Sequence, residues 1–429
     1  MENSSCRNDN DREKQYKKAL QLTEAHGQTH LLAFYETLTE EQKDSLLNQI
    51  LSIDFSLMER LYAHAKAEEA GMAEETGEIT PIGCTDKRGI APDVLAEYRQ
   101  MGEETIRSGR FAAVTMAGGQ GTRLGHSGPK GTYDIGLPTH MTLFEIQCMR
   151  LKKKREELGV SIPWYIMTSR ENDGATRAFF EAHDYFGYGR ENIMFFVQCM
   201  LPMVHKDGKI VLEEKWKIKE GADGHGGIFT AMIKSGVTAD MEARGIDWIF
   251  VGGIDNVLVR LCDPVFIGFM EASGRLIGGK SLIKRDPYEK AGVFCKKDGR
   301  PYVIEYTEIS DEMANLKDDS GNFVYGDAHI LCNMFNRKVF DVMGDKGLPY
   351  HTAVKKTSYI DEAGNRVTPE APCAYKFEAF IFDAFHFFDE MAILRVVREE
   401  EFAPVKNKSG EDSPETAREL FLACGEEIF

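Results

Sequence analysis

Residues 112–131 read AAVTMAGGQGTRLGHSGPKG, and the apolar run that leads into them starts at Phe111. A short apolar run closed by glycines is the pattern of a strand buried on both faces. A glycine-rich loop at the carboxyl end of such a strand lies where open α/β sheets bind their ligands. Gly118, Gly119, Gly121 and Gly125 let backbone N–H groups approach phosphate oxygens or base edges with no Cβ in the way. Arg123 and Lys130 add positive charge to the same loop. The spacing excludes two common nucleotide loops. Gly119, Gly121 and Gly125 give G-x-G-x-x-x-G rather than the dinucleotide fingerprint, and Lys130 follows a proline rather than the glycine of a Walker loop. An NAD-linked oxidoreductase is excluded on that spacing.

Strand, loop and helix alternate outward from this stretch. MTLFEIQCMRLKKKREELG predicts an amphipathic helix, PWYIMTS a strand, RAFFEAHDYFG a helix, and IMFFVQ and DWIFVGGIDN two further strands. Alternation of this kind builds parallel β-α-β units with helices on both faces. Two hairpin insertions are expected to turn at Asp207-Gly208 and Asp298-Gly299. Residues 15–70 read as helices, with a capping box running from Thr39 to Gln42. Residues 71–95, rich in Gly, Pro and acidic residues, read as a connector. FEAFIFDAFHFF is expected to form a helix whose rings serve core packing. The expected division is a helical region and connector over 1–95, a nucleotide-handling domain over 96–400 and a short segment over 401–429.

Composition narrows the class. Hydrophobic residues make up 42% and charged residues 28% of the 429, the balance of an ordinary globular chain. A formal charge of −17 argues against nucleic acid or an anionic membrane as partner. It also opposes a phosphate-rich substrate, but screening confines that repulsion to roughly 8 Å at physiological salt. A few well-placed cations therefore win locally. The polar start MENSSCRNDNDREK has no signal-peptide core, and no uncharged apolar run approaches the ~18 residues of a membrane span. A cytosolic location is expected. The nine cysteines include no C-x-x-C pair, so neither zinc nor a disulfide framework is expected, and most should be small buried hydrophobes.

The loop resembles the signature of the sugar-nucleotide pyrophosphorylases, L/M-A-G-G-x-G-T-R-L/M-G followed by P-K. The resemblance is closest to the eukaryote-type UDP-sugar branch, above all the UDP-N-acetylhexosamine pyrophosphorylases. HLLAFYETLTEEQKDSLLNQI, VQCMLP, DGHGGIF, IDN, IEYTEIS, YHTAVKK, YKFEAFIFD and REEEFAPVKN resemble that branch's blocks in the same order, from about residue 15 to 420. The resemblance implies a Rossmann-like nucleotidyltransferase fold of glycosyltransferase-A type, with a mixed, mainly parallel sheet. It also implies a further C-terminal domain, which the reading takes to be absent after Phe429. The implied reaction is attack by a sugar 1-phosphate oxygen on the α-phosphorus of UTP, expelling magnesium pyrophosphate.

The resemblance also implies roles for individual residues. Met116, Ala117, Gly118 and Gly119 would cradle the uridine and ribose, and Gln198 would read the uracil edge. Arg123 would hold the leaving pyrophosphate and Lys130 the α-phosphate. Gly224 and His225 would meet nucleotide and sugar, Glu305 and Tyr306 the sugar, and Asn333 would face it. Lys355 and Lys376 would meet the UTP phosphates and the sugar phosphate. Asp255 would contact UTP or Mg²⁺, which favours carboxylate oxygens. Arg123 and Lys130 are expected to share a cleft with Asp255 and Lys376. Two departures bear on the sugar. The acetylhexosamine branch has Asn followed by Gly-Gly and the glucose branch His followed by Gly-Asp, whereas His225 precedes Gly226 and Gly227 here. The second lysine of the branch's K-x-E-K block is Ala379. N-acetylglucosamine 1-phosphate is the expected acceptor, with glucose, galactose or broad sugar use as the alternative. A sugar-nucleotide sensor without activity is the non-enzymatic alternative, disfavoured by the retained phosphate cations.

Overall fold

The computed structural model describes residues 2–71, 77–343 and 347–425, with side chains from Asp11 onward. The chain divides into two compact units, each assembled from three separate stretches: 1–76, 199–225 and 349–380 in the smaller, 77–198, 226–348 and 381–429 in the larger. Residues 199–225 and 349–380, expected to lie in one continuous domain, fold instead with the N-terminal helices.

The larger unit is built on an eleven-stranded sheet. From edge to edge its main path runs Thr85–Asp86, Ala392–Arg395, Ile277–Ile283, Asp327–Asn336, Trp248–Gly253, Phe111–Met116, Trp164–Thr168 and Ile193–Val197. The last four strands are mutually parallel, and Asp327–Asn336 runs antiparallel to both of its neighbours. The sheet is therefore mixed and mainly parallel. Every residue of Phe111–Met116, Trp164–Thr168 and Trp248–Gly253 is buried, as strands covered on both faces require. Phe144, Trp164, Phe180, Phe250 and Phe266 fill the core between sheet and helices.

Local chemistry explains where the elements begin and turn. The helix Leu143–Leu158 opens on a capping box from Thr142 to Glu145 and ends on Gly159 in the left-handed conformation. Val293–Lys297 pairs with Arg300–Ile304 across Asp298 (φ 51°) and Gly299 (φ 78°), the two positive φ values of a tight hairpin turn.

The smaller unit carries the helices Glu2–Ala25, Glu40–Ser52 and Phe55–Glu69. The Thr39–Gln42 capping box forms as expected. Leu46, Leu47 and Ile50 pack there with Val204, Ile210 and Phe377. The other predicted hairpin turn also forms, with His205 N–H donating to the Lys209 carbonyl across Asp207-Gly208.

Two expectations are corrected. The connector 71–95 contains the short strands Ile79–Thr80 and Thr85–Asp86, both paired into the large sheet, and the helix Pro92–Arg107 already begins within it; residues 72–76 lie outside the described residues. FEAFIFDAFHFF is not an α-helix: Ala374–Glu378 is a strand and Ile381–Phe387 a 3-10 helix. The rings do serve the core, since Phe377, Phe382 and Phe385 are buried. Among the eight described cysteines all are free, but only Cys148, Cys262, Cys295 and Cys332 are buried.

Candidate functional site

The strand Phe111–Met116 delivers Met116 and Ala117 almost fully buried, and the chain then rises to half-buried Gly118 and exposed Gly119. The loop closes on itself. Lys130 N–H donates to the Gly119 carbonyl (3.1 Å) and Gly121 N–H to the Gly128 carbonyl (3.0 Å). The Thr132 hydroxyl donates to the Pro129 carbonyl (2.8 Å), so the 2.8 Å contact from His126 Nε2 places the imidazole proton on Nε2. These bonds fix where Lys130 starts. Gly131 must be glycine, because a Cβ there would meet the Phe144 ring at 2.1 Å. Above Gly119, by contrast, a Cβ would meet nothing within 4 Å, so the backbone is open to a ligand on that side. Gln198, just after Ile193–Val197, two strands over in the sheet, leans over the same loop, with its Oε1 3.1 Å from where a Gly118 Cβ would stand.

Lys130 Nζ lies 3.9 Å from Asp255 Oδ2, beyond hydrogen-bonding distance but close enough for attraction. Burial lowers the Lys130 ammonium below the ordinary lysine range. Asp255 opposes that, while the positive charges of Lys406 and Arg123 add to it. Lys130 thus senses two further cations and two carboxylates, Asp255 and Asp412, the second of which lies 3.7 Å from Lys406 Nζ; three cations against two carboxylates leave the cluster suited to a polyanion. Asp255 follows the strand Trp248–Gly253, and Arg123 sits exposed in the turn Thr122–Leu124.

Sequence reasoning gave no role to three supporting residues and one cation. Fully buried Asn172 donates to the carbonyls of Ala117 (2.9 Å) and Gly119 (3.3 Å) and accepts from Ser169 N–H (2.8 Å), bracing the glycine loop from below. Buried Gln147 accepts from Thr115 Oγ1 (2.8 Å) and donates to the Gly253 carbonyl (3.2 Å), tying together the strands that carry Met116 and Asp255. Asn256 accepts from Ala403 N–H and donates to the Glu401 carbonyl, and Val405 N–H donates to the Asp255 carbonyl. Those bonds bring the backbone that leads to Lys406 up to Asp255, while the Lys406 ammonium reaches Asp412 (3.7 Å). The only signal available in sequence was that Lys406 lies inside the REEEFAPVKN block and Asn172 just after a strand's carboxyl end.

One prediction follows for the brace. Asn172→Ala leaves the buried Ala117 carbonyl without its side-chain donor and the Gly119 carbonyl with Lys130 N–H alone, at a cost of about 1–3 kcal/mol in stability. The Michaelis constant for the nucleotide should rise severalfold in the same variant. Urea unfolding and initial-rate kinetics check both; an unchanged nucleotide KM contradicts the bracing role.

The remaining predicted residues divide by unit. In the larger unit, Glu305 and Tyr306 lie just beyond the strand Arg300–Ile304, in a turn where Glu308 N–H donates to the Glu305 carbonyl. Tyr306 is 44% exposed. Asn333 is fully buried: its Oδ1 accepts from His329 Nε2 (3.0 Å), and its Nδ2 has no hydrogen-bond partner.

The smaller unit holds Gly224, His225, Lys355 and Lys376. Gly224 has φ 84°, and a Cβ there would stand 2.2 Å from the Ala379 carbonyl oxygen, so only glycine fits. The His225 ring lies on Phe380 (centroids 5.2 Å), which stacks on His351 (4.6 Å). Both lysines stand on strands rather than helices. Ala353 is opposite Lys376, so Lys355, two residues along, shares the face of Lys376. Lys376 Nζ donates to Glu378 Oε1 (2.8 Å).

Among the described residues no group of three or more His, Cys, Asp or Glu side chains gathers as a metal cage. Asp255 alone suits the way Mg²⁺ binds with nucleotides, through one or two carboxylates and the substrate phosphates. No described helix is long and apolar enough to cross a membrane.

Residues 63–423 match the family model described as UTP--glucose-1-phosphate uridylyltransferase. The chain is 37% identical over 417 residues to the human UDP-N-acetylhexosamine pyrophosphorylase-like protein 1, covering 92% of this chain and 82% of that one. It is 36% identical to the UDP-N-acetylglucosamine pyrophosphorylase of Saccharomyces cerevisiae, covering 93% and 88%. The crystal structure of the uridine diphosphate N-acetylglucosamine pyrophosphorylase from Trypanosoma brucei superposes with a TM-score of 0.83 at 29% identity, over 95% of this chain and 84% of that one.

Proposed function

The chain belongs to the UTP–glucose-1-phosphate uridylyltransferase family, a family of enzymes, and from that premise we propose that it transfers UMP from UTP to N-acetylglucosamine 1-phosphate. The observation that carries this reading is Lys130, 3.9 Å from Asp255 and within the fields of Arg123 and Lys406, at the rim of an open glycine loop. In the reaction a phosphate oxygen of the sugar 1-phosphate forms a bond to the α-phosphorus of UTP. The bond from the α-phosphorus to the bridging oxygen breaks, and pyrophosphate leaves with the electron pair. The acceptor is already an anion, so no base has to remove a proton. What the reaction needs is alignment and charge neutralisation. Gly118, Gly119 and Gln198 would hold the uridine, Lys130 the α-phosphate, and Arg123 the departing pyrophosphate. Lys355 and Lys376 would meet the UTP phosphates and the sugar phosphate, and Glu305, Tyr306 and Asn333 the sugar. Asp255 would hold Mg²⁺, which supplies charge neutralisation on the phosphates when bound.

His225 favours a second reading, in which glucose 1-phosphate is also accepted. The ring stacked on Phe380 stands where the acetylhexosamine branch has an asparagine amide. His225→Asn should shift the kcat/KM ratio toward N-acetylglucosamine 1-phosphate by about tenfold, the size of one recognition contact at ~1.4 kcal/mol. Purified protein, UTP and Mg²⁺ are incubated with N-acetylglucosamine, N-acetylgalactosamine, glucose or galactose 1-phosphate, and the uridine product is identified. UDP-N-acetylglucosamine as the favoured product supports the proposal. The absence of any UDP-sugar from all four overturns it.

A further inference from the structure

We infer, on the reaction proposed above, that Lys408 is a further substrate-binding residue, a cation that meets the departing pyrophosphate at the turn that carries Arg123. Lys408 belongs to a strap over residues 406–412 whose path is fixed at both ends. Just before it, Val405 N–H donates to the Asp255 carbonyl (2.9 Å). The strap then folds back on itself. The N–H groups of Lys406 (2.7 Å) and Asn407 (3.0 Å) both donate to the Asp412 carbonyl, and Asn407 Nδ2 donates to the Glu411 carbonyl (2.7 Å). Gly410 (φ 81°) and Asp412 (φ 55°) supply the left-handed backbone of this reversal. Beyond it, Ser413 caps the helix Pro414–Ala423. The tip of the strap brings Lys408 to the glycine loop, where its Cε stands 4.0 Å from where a Gly125 Cβ would be. Gly125 (φ 76°) closes the turn Thr122–Leu124, which presents Arg123.

The charge of Lys408 is uncommitted. Its side chain is exposed, and among the described residues no hydrogen bond or ion pair engages it or the side chain of Arg123. The acids of the strap are engaged elsewhere, Glu411 with Arg285 (2.8 Å) and Asp412 with Lys406 (3.7 Å). Two free cations thus meet at one turn of a chain with 69 acidic and 52 basic residues. Lysine is a point charge on a flexible stem, suited to a group that arrives as part of a triphosphate and leaves as pyrophosphate. In the proposed reaction Lys130 meets the α-phosphate and Arg123 the departing pair of phosphates. Lys408, beside the turn of Arg123, shares the second task.

The test uses the full-length protein with Mg²⁺ throughout. Calorimetric titration with pyrophosphate reads the contact without turnover, and the reverse reaction, from UDP-N-acetylglucosamine and pyrophosphate, reads it during turnover. Lys408→Ala should weaken pyrophosphate about three- to fivefold in both, the scale of one exposed charge pair, and Lys408→Glu by about tenfold or more. Lys408→Arg should restore the parent's affinity. The KM for UDP-N-acetylglucosamine and the urea midpoint should stay at the parent's values, a split that a merely structural strap would not give. Added salt should narrow the gap between the parent and Lys408→Glu. The inference is overturned if the parent binds no pyrophosphate, if Lys408→Glu binds it as tightly as the parent, or if both KM values rise together. A parent that binds pyrophosphate through Lys408 yet forms no UDP-sugar counts against the proposed reaction alone.

Discussion

Lys130→Ala should lower kcat by two to three decades, about 3–4 kcal/mol of transition-state stabilisation, while leaving the fold at least as stable as the parent. The rate loss follows from the position of the side chain. The ammonium sits at the open loop, 3.9 Å from the carboxylate after the neighbouring strand, where the proposed reaction would develop charge on the α-phosphate. The stability claim follows from the sign of its pKa shift. Burial, with Lys406 and Arg123, holds the ammonium below the ordinary lysine range, so the folded state disfavours the charged form. A lysine lowered in this way costs stability at neutral pH, and that cost lifts only as pH rises through its lowered value. Removing it therefore cannot destabilise through its charge. Single-turnover kinetics and urea unfolding on the same preparation separate the two claims. A Lys130→Ala variant that loses stability along with rate points to a structural ion pair with Asp255 rather than a phosphate ligand.

The second large effect concerns stability. Lys280→Met should cost about 3–5 kcal/mol, because it strands two buried carboxylates. Lys280 is 1% exposed on the central strand Ile277–Ile283, and its ammonium meets Asp263 Oδ2 at 2.7 Å and also contacts Glu401. Burial alone would lower this lysine, but the carboxylates of Asp263 and Glu401 outweigh it and leave its pKa raised. Burial likewise opposes the ionised form of Asp263, yet Lys280, Lys87 and Arg260 outweigh it and hold that carboxyl well below its usual range. A depressed carboxyl contributes stability in full above its unfolded value of ~3.9 and loses it as pH falls through the folded value. The share of stability that Asp263 contributes should accordingly be lost only below about pH 4. Because Glu401 and Asn256 position the segment that ends in Lys406, the variant should lose activity before it unfolds globally. Urea midpoints across pH check this. A cost under ~1 kcal/mol means that the triad is not a buried charge network.

Much of the larger unit was legible in sequence because its signals are local. Phe111–Met116 and Trp248–Gly253 are continuous apolar runs and Asp298-Gly299 is a turn dipeptide; all formed as expected. Of the cleft expected to join Arg123 and Lys130 with Asp255 and Lys376, the closeness of Lys130 to Asp255 is found at 3.9 Å, while Lys376 belongs to the smaller unit. What escaped depends on neighbours distant in the chain. Asn172 supports Ala117 and Gly119 only because parallel pairing sets Trp164–Thr168 beside Phe111–Met116. Lys406 gains its place from backbone bonds made by residues 255–257, about 150 positions earlier in the chain, a contact with no local pattern. The two units escaped for the same reason: three separated stretches close each of them. FEAFIFDAFHFF misled because aromatic residues on every face carry no period, and a strand followed by a 3-10 turn buries them as well as a helix would.

The central claim is that UTP, held by the glycine loop and its cations, is attacked directly by the sugar phosphate, with no covalent enzyme intermediate. UTP bearing a sulfur of known configuration on its α-phosphorus tests this with one product analysis. A single displacement turns that phosphorus inside out, so the UDP-sugar thio product should emerge with inverted configuration. Retention, which requires two successive displacements, would contradict the account.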